Sequence, residues 1–270
     1  MLPSVISALL LVGGTFAVPV NPRARIINGT DASIEDFPFM ISLRSYTGSH
    51  SCGGSIVSKK WIMTAAHCVN NSTTPFLQTI QVGRSNISKP EDSSVYKISK
   101  VIIHPGYSPE NSYVNDIAVF QLVGELEFSD YVQPVQLPEA CFEVDADDSG
   151  VTLIGWGLTD DGVVPSTLQK VNYYVVPNYE CNDIHSSATI HSSQICAAYP
   201  GGGKGQCSGD SGGPLLHNDV QVGVVSWSIK PCTVAPYPGV LTKVSHHLPF
   251  IYENTDLDST GVDLRYCLGF

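Results

Sequence analysis

The sequence predicts an all-β fold on three observations. Short alternating or β-branched runs recur from the region of Phe39 to about Val244, clusters of Gly, Pro, Asn and Ser separate them at short intervals, and long helical periodicity is absent. The runs are Phe39 to Leu43, Gly54 to Val57, Thr79 to Val82, Lys97 to Ile103, Ile117 to Leu122, Val151 to Ile154 and Val220 to Ser226. This pattern fits a barrel or a sandwich. One terminal helix is expected over Leu248 to Asn254, where Pro249 suits the first turn. With 270 residues, 43% hydrophobic and 14% charged, the chain can bury a large core and is neither fibrous nor disordered. No fixed repeat is present, and the polar, acidic stretch Pro138 to Gly150 is the best candidate for a junction if there are two halves.

The N-terminal segment reads as an export leader. Residues 1–17 contain the apolar stretch Val5 to Val12 and then Thr15-Phe16-Ala17, a small-residue cleavage pattern, and the stretch is too short to span a bilayer. Residues 18–25, Val18 to Arg25, are basic, proline-bearing and without hydrophobic period, which fits either a flexible leader or a peptide made to be cut. Eight cysteines, and sequons at Asn28, Asn70, Asn71 and Asn86, suit an oxidising compartment, so a secreted, extracellular protein is expected. With 14 basic against 25 acidic side chains and no basic cluster, nucleic acid is not an expected partner, and neither is a membrane.

Within this frame Gly209-Asp210-Ser211-Gly212-Gly213-Pro214 places a hydroxyl beside a carboxylate in a backbone too glycine-rich for helix or strand. Such a loop is a surface turn or a nucleophile with amides directed at an oxyanion. His67 in TAAHC and Asp116 in NDIA supply the base and the orienting carboxylate that a serine nucleophile needs. Taken singly, the histidine reads as structural or metal-binding and the aspartate as a cap or turn.

Together with IINGT, CGGS, GWG and VSWS, these motifs in this order resemble the chymotrypsin family of serine proteases from Ile26 to about Asn254. The resemblance implies two six-stranded antiparallel β-barrels with the site between them, a protease domain over 26–254 and a C-terminal extension over 255–270. It also implies that Ser211, His67 and Asp116 are catalytic and that Gly209 and Ser211 form the oxyanion hole. Activation would follow cleavage after Arg25: the Ile26 ammonium would enter the barrel interface, pair with Asp210 and displace His50 from it. A paired ammonium has a raised pKa, so its contribution is complete below the unfolded value, roughly 8, and lost as pH rises through the folded one.

By the same resemblance Gly205 lies at the base of the specificity pocket, where relatives that cut after Lys or Arg carry an aspartate. Gln206 stands beside it, Ser228 and Gly239 on the walls, and Ser226 and Trp227 along the substrate. A neutral pocket with a glycine floor favours uncharged side chains, with Phe, Tyr, Leu or Met the first choice, because an unpaired ammonium would lose its hydration. Ser228 and the long Gln206 narrow the cavity in the elastase-like direction.

The implied disulfides are Cys52 with Cys68, Cys181 with Cys196 and Cys207 with Cys232. Cys141 and Cys267 are left over and are expected to bridge through the C-terminal tail. Where some relatives bind calcium after the catalytic histidine, Arg84 stands at the first carboxylate position, so neither a metal nor a cofactor is expected. His246 and His247 lack metal-site spacing. Expected partners are protein or peptide substrates, an activating protease and protein protease inhibitors, with the chain itself a monomer. The alternatives are a catalytically silent homologue that binds a protein, disfavoured by the presence of all three catalytic residues, and a selective elastase-like or processing protease.

Overall fold

The structure, a computed structural model, describes residues 26–70, 77–145 and 150–262. Residues 1–25, including Arg25, the sequon at Asn71 and Cys267 lie outside the described residues.

Among the described residues there are thirteen strands, twelve of which form two closed antiparallel barrels of six each. The first contains β2 (Met40–Arg44), β3 (His50–Ile56), β4 (Trp61–Thr64), β5 (Thr79–Gln81), β6 (Val95–Ile103) and β7 (Ala118–Leu122), in the order β2-β3-β4-β7-β6-β5. The second contains β8 (Val151–Gly155), β9 (Gln169–Val176), β10 (Gln194–Ala198), β11 (Pro214–His217), β12 (Val220–Trp227) and β13 (Gly239–Lys243), and closes where β8 pairs with β9. The short β1 (Thr30–Asp31) adds to β9. Closure leaves few unpaired edges, which resolves the choice between barrel and sandwich in favour of barrels. The expected junction lies inside the connection that leaves the first barrel at Leu122 and enters the second at Val151.

Strand β9 shows how the sequence selects a face. In QKVNYYVV the residues Gln169, Val171, Tyr173 and Val175 are buried, while their neighbours are partly or fully exposed. This is the period of two that a strand with one face on a core requires. Tyr173 thereby points inward and joins Leu153, Leu215, Leu241 and the fully buried Ile26 in the second core. The first core is built on Met40, Ile62, Met63 and Phe120, all without solvent exposure.

Among the described residues three short α-helices complete the fold: α1 (Ala66–Asn70), α2 (Asn178–Ile184) and α3 (Leu248–Asn254). Helix α3 matches the expected bounds, has its proline in the first turn and buries Leu248, Phe250 and Ile251. Helices α1 and α2 are too short to leave a periodic trace in sequence. Cys52–Cys68, Cys181–Cys196 and Cys207–Cys232 are bonded as the resemblance implies. Cys141 is also disulfide-bonded.

Candidate active site

His67 is held by its own carboxylate. Strand β4 delivers it into α1, where the Cys52–Cys68 bond ties the helix back to β3. Asp116, just before β7, is fully buried and grips His67 twice: the His67 amide donates to Oδ1 at 2.9 Å, and Nδ1 lies 2.7 Å from Oδ2. The carboxylate accepts a further bond at 2.6 Å from the Ser226 hydroxyl of β12, and the Thr242 hydroxyl donates to the Asp116 carbonyl at 2.8 Å. Residues from both barrels thus fix one carboxylate. Its bond to Nδ1–H places the imidazole lone pair on Nε2, facing outward as a general base must. Tyr113 stands edge-on to the His67 ring, with centroids 6.1 Å apart.

The loop bearing Ser211 is wedged against the first barrel by glycines. The Gly53 amide donates to the Ser211 carbonyl at 2.8 Å. Gly212 has φ of +78°, and a Cβ there would overlap the Thr64 hydroxyl and come within 2.6 Å of the Gly53 carbonyl. Position 212 therefore needs glycine for its backbone and for its space. The Asp210, Gly212 and Gly213 amides donate to main-chain carbonyls. Those of Gly209 and Ser211 have no acceptor among the described residues, the arrangement an oxyanion would meet. Among these residues the Ser211 hydroxyl makes no hydrogen bond to His67, a contact that in ligand-free sites often forms only with substrate.

Asp210 points away from this face into a sealed box. The Gly157 amide donates to Oδ1 at 2.7 Å and the Cys207 amide to Oδ2 at 2.9 Å. A Cβ at either Gly155 or Gly157 would overlap this carboxylate, which explains the glycines flanking Trp156. Desolvation pushes the Asp210 carboxyl up to about 7, against the two amide bonds and the Lys230 charge, which pull it down. His50 is not on Asp210. Its Nε2 lies 3.0 Å from the Gly209 carbonyl and its Nδ1 2.8 Å from the Ser42 hydroxyl, so Nε2 carries the proton and Nδ1 accepts from Ser42. Burial lowers its pKa to about 4 and keeps the ring neutral.

Ile26 is buried in the second core, its carbonyl accepts from the Gly29 amide at 2.7 Å, and the Gly205 amide donates to the Ile27 carbonyl at 3.0 Å. The start of the domain is thus docked beside Gly205. Gln206, Ser228 and Gly239 line one cavity of about 370 Å³. The Gln206 side chain crosses it: Nε2 donates to the Trp227 carbonyl at 3.1 Å, and a Cβ on Gly239 would lie 2.6 Å from Gln206 Cδ. Tyr173 is the lining residue that sequence reasoning missed. Its hydroxyl accepts from the Gln206 amide at 2.6 Å and occupies the space a Cβ on Gly205 would need. The alternation of β9 was the available signal.

Cys52, His67 and Cys68 have metal-like spacing, but both sulfurs are consumed in their disulfide. Arg84, at the position the resemblance gives to a calcium-binding carboxylate of some relatives, forms an ion pair with Glu91.

A family model described as Trypsin matches residues 26–251. The chain belongs to the trypsin family of serine proteases. Trypsin of Phaedon cochleariae is 38% identical over 93% of this chain and 98% of its own length. Trypsin II-P29 of Gallus gallus is 36% identical, covering 85% of this chain and 88% of that one. Transmembrane protease serine 11G of Mus musculus is 35% identical over 87% of this chain and 57% of its own length. As a trypsin-family member the chain is a serine endopeptidase, a hydrolase of peptide bonds. Among the described residues no helix is long and apolar enough to cross a membrane.

Proposed function

We propose that this trypsin-family protease is secreted as a zymogen, is activated by cleavage after Arg25, and cuts peptide bonds after uncharged residues. Ser211 Oγ attacks the scissile carbonyl while His67 Nε2 takes its proton. The Gly209 and Ser211 amides hold the oxyanion, and Asp116 stabilises the imidazolium. Collapse breaks the C–N bond, His67 returns the proton to the leaving amine, and water then releases the acyl group from Ser211 by the same steps. The amides at 209 and 211, without an acceptor among the described residues, and the doubly bonded His67–Asp116 pair support these roles.

Zymogen activation is supported by the sealed, desolvated Asp210 and by Ile26, which is buried in the second core at φ of +51°, a left-handed backbone costly for a β-branched residue. Hydrolysis of the preceding bond removes that torsion and creates an ammonium. Substrates are proteins or peptides, the activator is a protease that recognises Arg25, and the enzyme acts as a monomer open to protein inhibitors.

Specificity rests on one observation: position 205 is a glycine backed by a neutral phenol. The relatives named trypsins would suggest cutting after Lys or Arg, but such a side chain would meet no acid at the base. The acidic residue of the cavity lining, Glu180, is exposed on α2. Large apolar side chains follow from a glycine floor alone. Gln206 lying across to Gly239 favours the second, elastase-like reading of shorter ones. Both are tested by cutting the purified zymogen after Arg25 and profiling peptides varied at the residue before the scissile bond. A preference for Arg overturns the uncharged pocket, and no organophosphate labelling of Ser211 returns the chain to a silent homologue.

A further inference from the structure

We infer that Tyr173, and not residue 205, supplies the base of the specificity pocket and sets its depth. The inference rests on the proposed neutral pocket and adds a residue to it. Gly205 has φ of +138°, a backbone that favours glycine, and a Cβ added there would fall on the Tyr173 hydroxyl and crowd its ring. The phenol thus holds the volume that a side chain at 205 would fill in a pocket closed from its own loop. It reaches that volume from β9, because the two-residue period of that strand turns Tyr173 inward.

The phenol is fixed on three sides. Its oxygen accepts from the Gln206 amide at 2.6 Å, its ring packs in the second core with only 2% of the residue exposed, and it lines the same cavity as Gln206, Ser228 and Gly239. Burial raises its pKa, so the hydroxyl stays neutral throughout the working range. The Tyr173 oxygen gives the pocket a polar but uncharged end, and with Gln206 spanning the width there is room above it for short side chains. Gly205 and Tyr173 are one unit: a larger residue at 205 requires a smaller one at 173.

The test uses the full chain cut after Arg25, with active sites counted by organophosphate titration so that rates refer to folded enzyme. In Tyr173→Ala the ratio of kcat/KM for a Phe peptide to that for an Ala peptide should rise at least tenfold, carried by KM for the Phe peptide. Tyr173→Val, suited to a strand, serves the same purpose if the alanine variant does not fold. Tyr173→Phe keeps the ring and should leave the ratio within about twofold. Gly205→Ala should lower Tm in the parent and lower it less in the Tyr173→Ala background. An unchanged Phe to Ala ratio in whichever truncation is fully titratable overturns the inference even if the parent prefers uncharged residues. An Arg preference in the parent overturns the neutral pocket itself.

Discussion

Gly157 and Asp210 share one space: the Gly157 amide donates to Asp210 Oδ1 at 2.7 Å, and the carboxylate fills the volume where a Cβ on Gly157 would stand. A buried carboxylate cannot swing aside easily here, because the Cys207 amide holds its other oxygen at 2.9 Å and Gly155 also lies against Oδ1, which a Cβ there would overlap. Gly157→Ala is therefore expected to destabilise the protein by about 3 kcal/mol, the upper end of ordinary overpacking, as read by urea unfolding. The cut variant should also lose most of its turnover, since Asp210 and Ser211 are adjacent. A stable, fully active alanine variant would show that the box is not rigid.

Asp210 also makes stability depend on pH. Its carboxyl moves from an ordinary 3.8 up to about 7 on burial, so in the uncut chain the unfolded state ionises first. Its contribution then falls as pH rises from about 4 to about 7 and is flat above, a swing of roughly 4 kcal/mol. His50 and His247 act oppositely: burial lowers them to about 4 and about 3, so each loses stability as pH falls below its ordinary 6.5. The difference between the parent and Asp210→Asn isolates the carboxylate. Measured by urea unfolding from pH 4 to pH 8, the uncut parent should lose stability relative to the variant as pH rises. After cutting, the new ammonium should abolish that fall and replace it with a loss above about pH 8. Equal slopes for parent and variant would refute the assignment.

Ser226 offers a milder test of the catalytic role proposed for Asp116. Its hydroxyl donates to Asp116 Oδ2 at 2.6 Å in a fully buried setting, so Ser226→Ala leaves part of that charge unmet. A hydrogen bond to a charged group is worth about 1.5 kcal/mol, which corresponds to roughly tenfold in kcat with KM nearly unchanged. Steady-state kinetics on the cut enzyme checks this. A change confined to KM would place Ser226 with substrate binding instead.

What was legible in sequence depended on how local its cause is. Seven strand runs and α3 could be read because alternation, branching and a first-turn proline act within a few residues. Trp61–Thr64 and Pro214–His217 are short and buried or nearly buried throughout, so neither carries a surface alternation to read. The proposed catalytic residues stand in motifs, each within a few positions of the sequence. The box around Asp210 was not legible in this way, since Gly155 and Gly157 are needed by a carboxylate more than fifty positions away. The alternation of Gln169–Val176 turns Tyr173 inward, but its pairing with Gly205 has no local trace, because the two meet only when β9 joins the second barrel.

His50 separates two accounts of the proposed activation switch. If its role is to restrain Asp210 in the uncut chain, as the family resemblance implies, His50→Ala should raise zymogen activity and spare the cut enzyme. The geometry favours the opposite. His50 sits with Nε2–H on the Gly209 carbonyl and Nδ1 on the Ser42 hydroxyl, in T-shaped contact with Trp156 at 5.9 Å between centroids. It thereby anchors the backbone between the two amides left without acceptors. Loss of this clamp lets Gly209 turn, and an oxyanion donor that is mispositioned costs nearly as much as one removed, about 10²-fold in kcat. His50→Ala should therefore depress kcat of the cut enzyme by about ten- to a hundredfold with little change in KM, leaving zymogen activity unchanged. His50→Gln, whose amide can still donate to the Gly209 carbonyl, should recover part of the loss.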